Sequence, residues 1–203
     1  MVGTIIHAVS VDHSNGKSSL VLWIHVLSYV AGASLTGGMF GLVGFGIHSM
    51  FPQLSRSSNQ LLILGIACLI YSFRELELLR LPSRKFFRQV PSKYRLTMSP
   101  KCLAFVYGLE LGAGITTYVP TNTFYVVVLW ALLVGSPQLG ALGMAAYGIG
   151  RGVPMLWLGL NRKTASDGGA LMGSLQPLKP AVHYVNGLLL SFLGAFLLTA
   201  GRL

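Results

Sequence analysis

Four stretches of the chain contain no Asp, Glu, Lys or Arg: residues 18–55, 57–73, 111–150 and 180–201. A bilayer-spanning helix needs about 20 predominantly apolar residues, and each stretch, taken with its flanks, meets that length. Charged residues make up 10% of the 203-residue chain and hydrophobic residues 53%, whereas water-soluble domains average roughly 25% charged. Intrinsic disorder is excluded by the hydrophobicity. A nucleic-acid partner is not expected, because the net charge of +10 sits in clusters between apolar runs and not along one solvated face. Apolar and polar residues do not alternate as a membrane β-barrel requires. The chain reads as an all-α membrane protein, a single integral membrane domain over 1–203.

Five transmembrane helices are expected, at about 20–50, 59–81, 102–134, 138–160 and 181–201. Pro120 should kink or break the third, and Gly135-Ser136-Pro137 separates it from the fourth. The first carries Gly32, Gly37, Gly38, Gly41, Gly44 and Gly46, which suit tilting, breaking or close packing on a neighbour. With five spans, the segment 1–19 and the loops 82–101 and 161–180 share one side. Ten Lys and Arg lie on that side, and only Arg56 and Arg202 on the other. The positive-inside rule then places the N-terminus in the cytoplasm and the C-terminus outside the plasma (inner) membrane. Two spans within 20–50 would reverse the N-terminus, but 31 residues are short for that. Residues 1–19 lack a signal-peptide pattern, so the first apolar run is expected to stay as a helix. The basic loop 82–101 either sets topology alone or binds anionic lipid headgroups, at on the order of 1 kcal/mol per cation.

Phe45-Gly46-Ile47-His48-Ser49-Met50-Phe51-Pro52 aligns without gaps on Tyr147-Gly148-Ile149-Gly150-Arg151-Gly152-Val153-Pro154. In both places an apolar helix with a central glycine follows a polar loop. The first and second helices would then match the fourth and fifth. Under the five-span topology this is an incomplete inverted repeat, a construction used by small transporters.

The run Gly108-Leu-Glu-Leu-Gly-Ala-Gly-Ile-Thr-Thr-Tyr-Val-Pro120 is followed by the helix ending Tyr147-Gly-Ile-Gly-Arg-Gly-Val-Pro154 and by Gly187-Leu-Leu-Leu-Ser-Phe-Leu-Gly194. That order is similar to the transmembrane region of the cytochrome c biogenesis and thiol-disulfide carrier family (CcdA/DsbD-like). The resemblance covers roughly 105–201, with a weaker echo in 40–75, and rests on glycine and proline placements. It implies six helices in two inverted halves, with a cysteine pair that passes reducing equivalents across the membrane. This chain departs from the pattern twice. Its first half is expected to lack the opening helix, and its remaining motif, Thr116-Thr117-Tyr118-Val119-Pro120, contains no cysteine.

Two intramembrane ions stand out. Glu110 and Arg151 each lie eight or nine residues from the cytoplasmic ends of their helices, about 12–14 Å deep. Unpaired ions at that depth are costly, so the two are expected close together, as a site for a proton or small solute or as a salt bridge that locks two helices. Arg74, Glu75 and Glu77 join that network or snorkel to the interface. Pro120 frees the carbonyl of Thr116. The hydroxyls of Thr116, Thr117 and Tyr118 and the Asn122 amide are alternative partners and a candidate solute surface. Cys68 lies some 20 Å deep and Cys102 at the surface, so they are not expected to pair. His7, His13, His25, His48 and His183 show no metal spacing, and His48 and His183 are placed at opposite sides. No Ser-His-Asp set, Cys-x-x-Cys pair or phosphate-cradling glycine loop is present, so no catalytic residue, cofactor or metal is expected.

These readings point to movement of a small solute or ion without cysteine chemistry, past Glu110, Arg151 and the run 116–123. The alternative is a non-catalytic assembly or stabilising subunit of a larger membrane complex. A stable membrane protein partner is expected of the subunit, and a lone chain or a homo-oligomer of the carrier. A redox role for Cys68 and Cys102 is the third class.

Overall fold

The computed structural model describes residues 18–79, 98–114, 122–160 and 179–202. Six α-helices and one 3₁₀ turn make up the regular structure there, with no strand among the described residues. They are α1 (Ser18–Met50), the 3₁₀ turn Pro52–Ser55, α2 (Ser57–Glu75), α3 (Pro100–Ala113), α4 (Thr123–Val134), α5 (Pro137–Leu160) and α6 (Lys179–Ala200). Local chemistry explains several ends. Pro100 and Pro137 open α3 and α5, where the missing N–H costs nothing. Gly114 (φ 67°) and Gly135 (φ 63°) take the left-handed conformation that closes α3 and α4.

Two helix boundaries differ from the sequence expectation. Where one helix over 102–134 was expected, α3 and α4 are separate, and α3 stops at Gly114, six residues before Pro120. The second helix ends at Glu75, short of residue 81. The cause is a Schellman closure: Glu77 turns left-handed (φ 58°), its N–H bonds the Arg74 carbonyl, and the Leu78 N–H bonds the Phe73 carbonyl. The two aligned octapeptides also differ in structure. Residues 45–50 finish α1 and Pro52 opens the 3₁₀ turn, whereas Pro154 lies inside α5.

The chain forms two units. The described part of the first comprises α1 up to Leu35, α3, and α5 from Ala145. Here α1 and α3 run parallel: His25 meets Ala104, Ser28 meets Gly108, and Tyr29 and Ala33 meet Gly112. A Cβ on Gly108 would stand 2.0 Å from the Ser28 hydroxyl, and one on Gly112 2.0 Å from the Tyr29 carbonyl oxygen. Only small residues allow this approach of two backbones. The end of α5 runs antiparallel to α1, with Gly148 against Val30 and Gly152 against Val26. Val21, Leu22, Val26, Ala104 and Leu156 form the apolar core of this unit.

The second unit holds the rest of α1, α2, α4, the start of α5, and α6. Its main pairing is antiparallel: the Ser58 hydroxyl donates to the Gly201 carbonyl, Gly65 faces Gly194, and the Ser72 hydroxyl donates to the Gly187 carbonyl. Leu64, Cys68, Val126, Leu133, Leu190 and Leu197 fill the space among α2, α4 and α6. Residues 19–50 and 180–200 are each long and apolar enough to cross a membrane. Both turn large apolar side chains outward, among them Leu27, Met39 and Leu42 on α1 and Leu188, Phe192 and Phe196 on α6. A bilayer covers such surface at no cost, whereas water does not.

Candidate functional site

Glu75 is the last residue of α2, and its side chain is 2% exposed. A buried carboxylate is tolerated only with partners, and three groups supply them. Its Oε1 accepts the backbone N–H of Asn122 at 2.7 Å and the Nδ2 of Asn186 at 2.9 Å. Its Oε2 meets Nδ1 of His183, whose side chain is 40% exposed. Thr123 donates its hydroxyl to Oδ1 of Asn186 at 2.7 Å, which fixes the amide so that its NH₂ faces Glu75.

The helices place these groups for simple reasons. His183, Asn186 and Gly187 lie at i, i+3 and i+4 on α6, one face of the helix, and that face meets α2. Gly187 lets α6 come close, since a Cβ there would lie 2.8 Å from the Leu76 side chain. One turn further, the fully buried Ser72 bonds the Gly187 carbonyl at 2.7 Å and contacts the Ser191 hydroxyl. Asn122 precedes the first residue of α4 and makes no side-chain cap. The Glu75 carboxylate therefore stands at the positive end of α4, where anions are favoured. Tyr71 and Tyr125 stack at 5.8 Å, one turn along from Glu75 on α2 and from Asn122 on α4.

The sequence-derived candidates are placed as follows. Asn122 belongs to the Glu75 group, through its backbone rather than its amide. Thr116, Thr117, Tyr118 and Pro120 lie outside the described residues. In the first unit, Arg151 sits on two aromatic faces, with its guanidinium carbon 5.8 Å from the Tyr29 ring centre and 5.9 Å from that of Tyr147. Its Nη1 also approaches the Tyr147 hydroxyl at 3.4 Å. Glu110 is half-buried on α3. His25 is buried in the same unit and bonds the Ala104 carbonyl through Nδ1 at 3.1 Å. Cys68 is buried, Cys102 is exposed, and both are free thiols. No group of three metal-ligating side chains occurs among the described residues.

Sequence reasoning placed Glu75 at the margin of the site and missed His183 and Asn186. The available signal was a His and an Asn at i and i+3 in an otherwise apolar helix.

The family model described as cytochrome c biogenesis protein transmembrane region matches residues 1–196. Among curated proteins, the methylamine utilization protein MauF of Paracoccus denitrificans is 32% identical over 132 residues, 65% of this chain and 46% of that protein. MauF of Methylorubrum extorquens is 32% identical over 184 residues, 89% of this chain and 60% of that protein. MauF of Paracoccus versutus is 30% identical over 176 residues, 77% of this chain and 63% of that protein. The chain thus spans about half to three fifths of the curated relatives it matches. No solved structure matches the chain with significance.

Proposed function

The chain belongs to the family of the cytochrome c biogenesis protein transmembrane region, and from that premise we propose that it moves a small solute or ion across the plasma membrane without cysteine chemistry. The proposal takes the chain as multi-pass, with five spans, a cytoplasmic N-terminus and an external C-terminus. The parallel course of α1 and α3 and the antiparallel course of α2 and α6 are what alternating spans require, and they support this topology. The observation that carries the function is Glu75, a carboxylate buried among α2, α4 and α6. Ionisable groups inside membrane helices are expensive and mark ion or solute sites by default. Glu110, Arg151 and the run 116–122, as read from the sequence, remain part of the proposal. So do anionic headgroups at the loop 82–101 and a second copy or membrane partner.

The relatives are named for methylamine utilization. A buried carboxylate suits a cation, so methylammonium is the first solute to test. Proteoliposomes holding the purified chain should accumulate radiolabelled methylammonium above empty vesicles, and Glu75→Gln should abolish the difference. A wild-type signal no higher than that of empty vesicles counts against the proposal.

The exposed apolar faces of α1 and α6 and a relatives' name that denotes a process favour a second reading, an assembly or stabilising subunit of a larger membrane complex. Gentle detergent purification decides between them. A stoichiometric membrane partner, together with tolerance of Glu75→Gln, would replace the carrier reading.

A further inference from the structure

We propose that Glu75 and His183 form a proton-binding site in which a proton enters through the imidazole of His183, passes to the carboxylate of Glu75, and there loosens the fastening of α4. The inference deepens the carrier reading by naming the proton as its coupling ion, while the site itself stands on geometry alone.

The two side chains are in contact, yet they face different surroundings. Glu75 is 2% exposed and His183 40%. The buried acid thus communicates with the outside through a histidine, the one ionisable side chain bonded to it among the described residues. Other titratable side chains lie on the same elements: Cys68, Tyr71 and Arg74 on α2, Glu77 just beyond it, Tyr125 on α4, and Lys179 and Tyr184 on α6. Tyr71 and Tyr125 are stacked on each other, and Cys68 lies in the apolar core.

The proposed transfer starts from an ionised Glu75. An ionised carboxylate only accepts, so in that state the hydrogen of the His183–Glu75 contact is on Nδ1. The second ring nitrogen, Nε2, takes up the incoming proton and gives an imidazolium. The Nδ1–H bond then breaks as an Oε2–H bond forms. His183 becomes neutral with its hydrogen on Nε2, and Glu75 becomes a neutral acid. One proton has entered and none is lost.

The step has a structural consequence. Oε1 holds the Asn122 N–H and the Asn186 amide, and hydrogen bonds to a charged acceptor are roughly twice as strong as neutral ones. Neutralising Glu75 weakens both at once. Asn122 has no cap of its own, so the start of α4 is the element released.

Infrared difference spectra of the full chain in proteoliposomes, recorded between neutral and acidic pH, test the site directly. Wild type should show a protonated-carboxyl band that Glu75→Gln removes and Glu77→Gln keeps. His183→Gln should displace the midpoint of that band by about one pH unit or more, a roughly tenfold change in proton affinity. A band that survives Glu75→Gln, or a midpoint unmoved by His183→Gln, overturns the proposal. If Glu75→Gln fails to fold, the half-exposed His183 variant decides alone. Methylammonium uptake measured on the same vesicles separates the two claims. The band without uptake sinks the carrier reading and leaves the proton site standing, and uptake without the band sinks the proton site.

Discussion

Gly37 and Gly140 meet backbone to backbone. A Cβ on Gly37 would lie 2.1 Å from the Gly140 carbonyl oxygen, and one on Gly140 would lie 2.3 Å from the Gly37 carbonyl oxygen. Neither neighbour is the movable end of a side chain, so the helices themselves must part to admit a methyl group. Gly37→Ala should therefore destabilise the protein by about 1–3 kcal/mol, the usual cost of overpacking. Gly46, with nothing within 4 Å of its Cβ position, is the control, and Gly46→Ala should be neutral or stabilising by up to about 1 kcal/mol. Thermal melts in detergent, followed by size-exclusion chromatography, distinguish the two. Equal melting temperatures would refute the contact.

Glu77 holds a left-handed conformation (φ 58°) with no glycine to ease it. An L side chain there costs roughly 1–2 kcal/mol. Glu77→Gly should keep the closure of α2 and raise the melting temperature. A fall would mean that the Glu77 side chain contributes more than its backbone costs.

Thr123 and Asn186 act on Glu75 in series. Thr123→Val removes the hydroxyl that orients the Asn186 amide, and a loss of about 1 kcal/mol is expected. Asn186→Leu leaves Oε1 of Glu75 with the Asn122 N–H alone. It should cost about 1–3 kcal/mol, because the group affected is buried and charged. In the double variant the losses should add to less than their sum, since Thr123 acts through Asn186. Strict additivity in the melts would show two independent contacts.

The two cysteines give a test of orientation and of chemistry together. A membrane-impermeant maleimide should label the exposed Cys102 and spare the buried Cys68. Under the proposed topology, labelling should occur from the cytoplasmic side only. Cys102→Ser should leave carriage unchanged. Loss of activity in that variant would reopen a thiol mechanism, and labelling from outside would invert the topology.

What the sequence makes legible follows from how local the causes are. α6 occupies Lys179–Ala200, close to the expected 181–201, because Lys179 and Arg202 bracket a charge-free run and nothing else is needed to find it. The end of α2 is not legible. Its closure rests on a glutamate in a conformation usually given to glycine, and no residue type announces that. The continuous helix α1 was in doubt for its glycines, yet each close contact they make lies on a partner far along the chain. The polar site is hidden for the same reason. Glu75 and His183 are 108 residues apart, and only the register of α2 on α6 joins them. Nor does the sequence show that the rings of Tyr29 and Tyr147 flank Arg151.

The fastening of Asn122 to Glu75 bears on the order in which the chain assembles. α4 has 12 residues and no capping side chain of its own, and isolated helices of that length are marginal. Its first turn is completed by an acceptor from α2, and that acceptor is held in place by two residues of α6. A segment synthesised earlier thus waits for α6 before its own beginning is secured. Chains truncated before residue 183 should hold α4 loosely, however long they are allowed to mature.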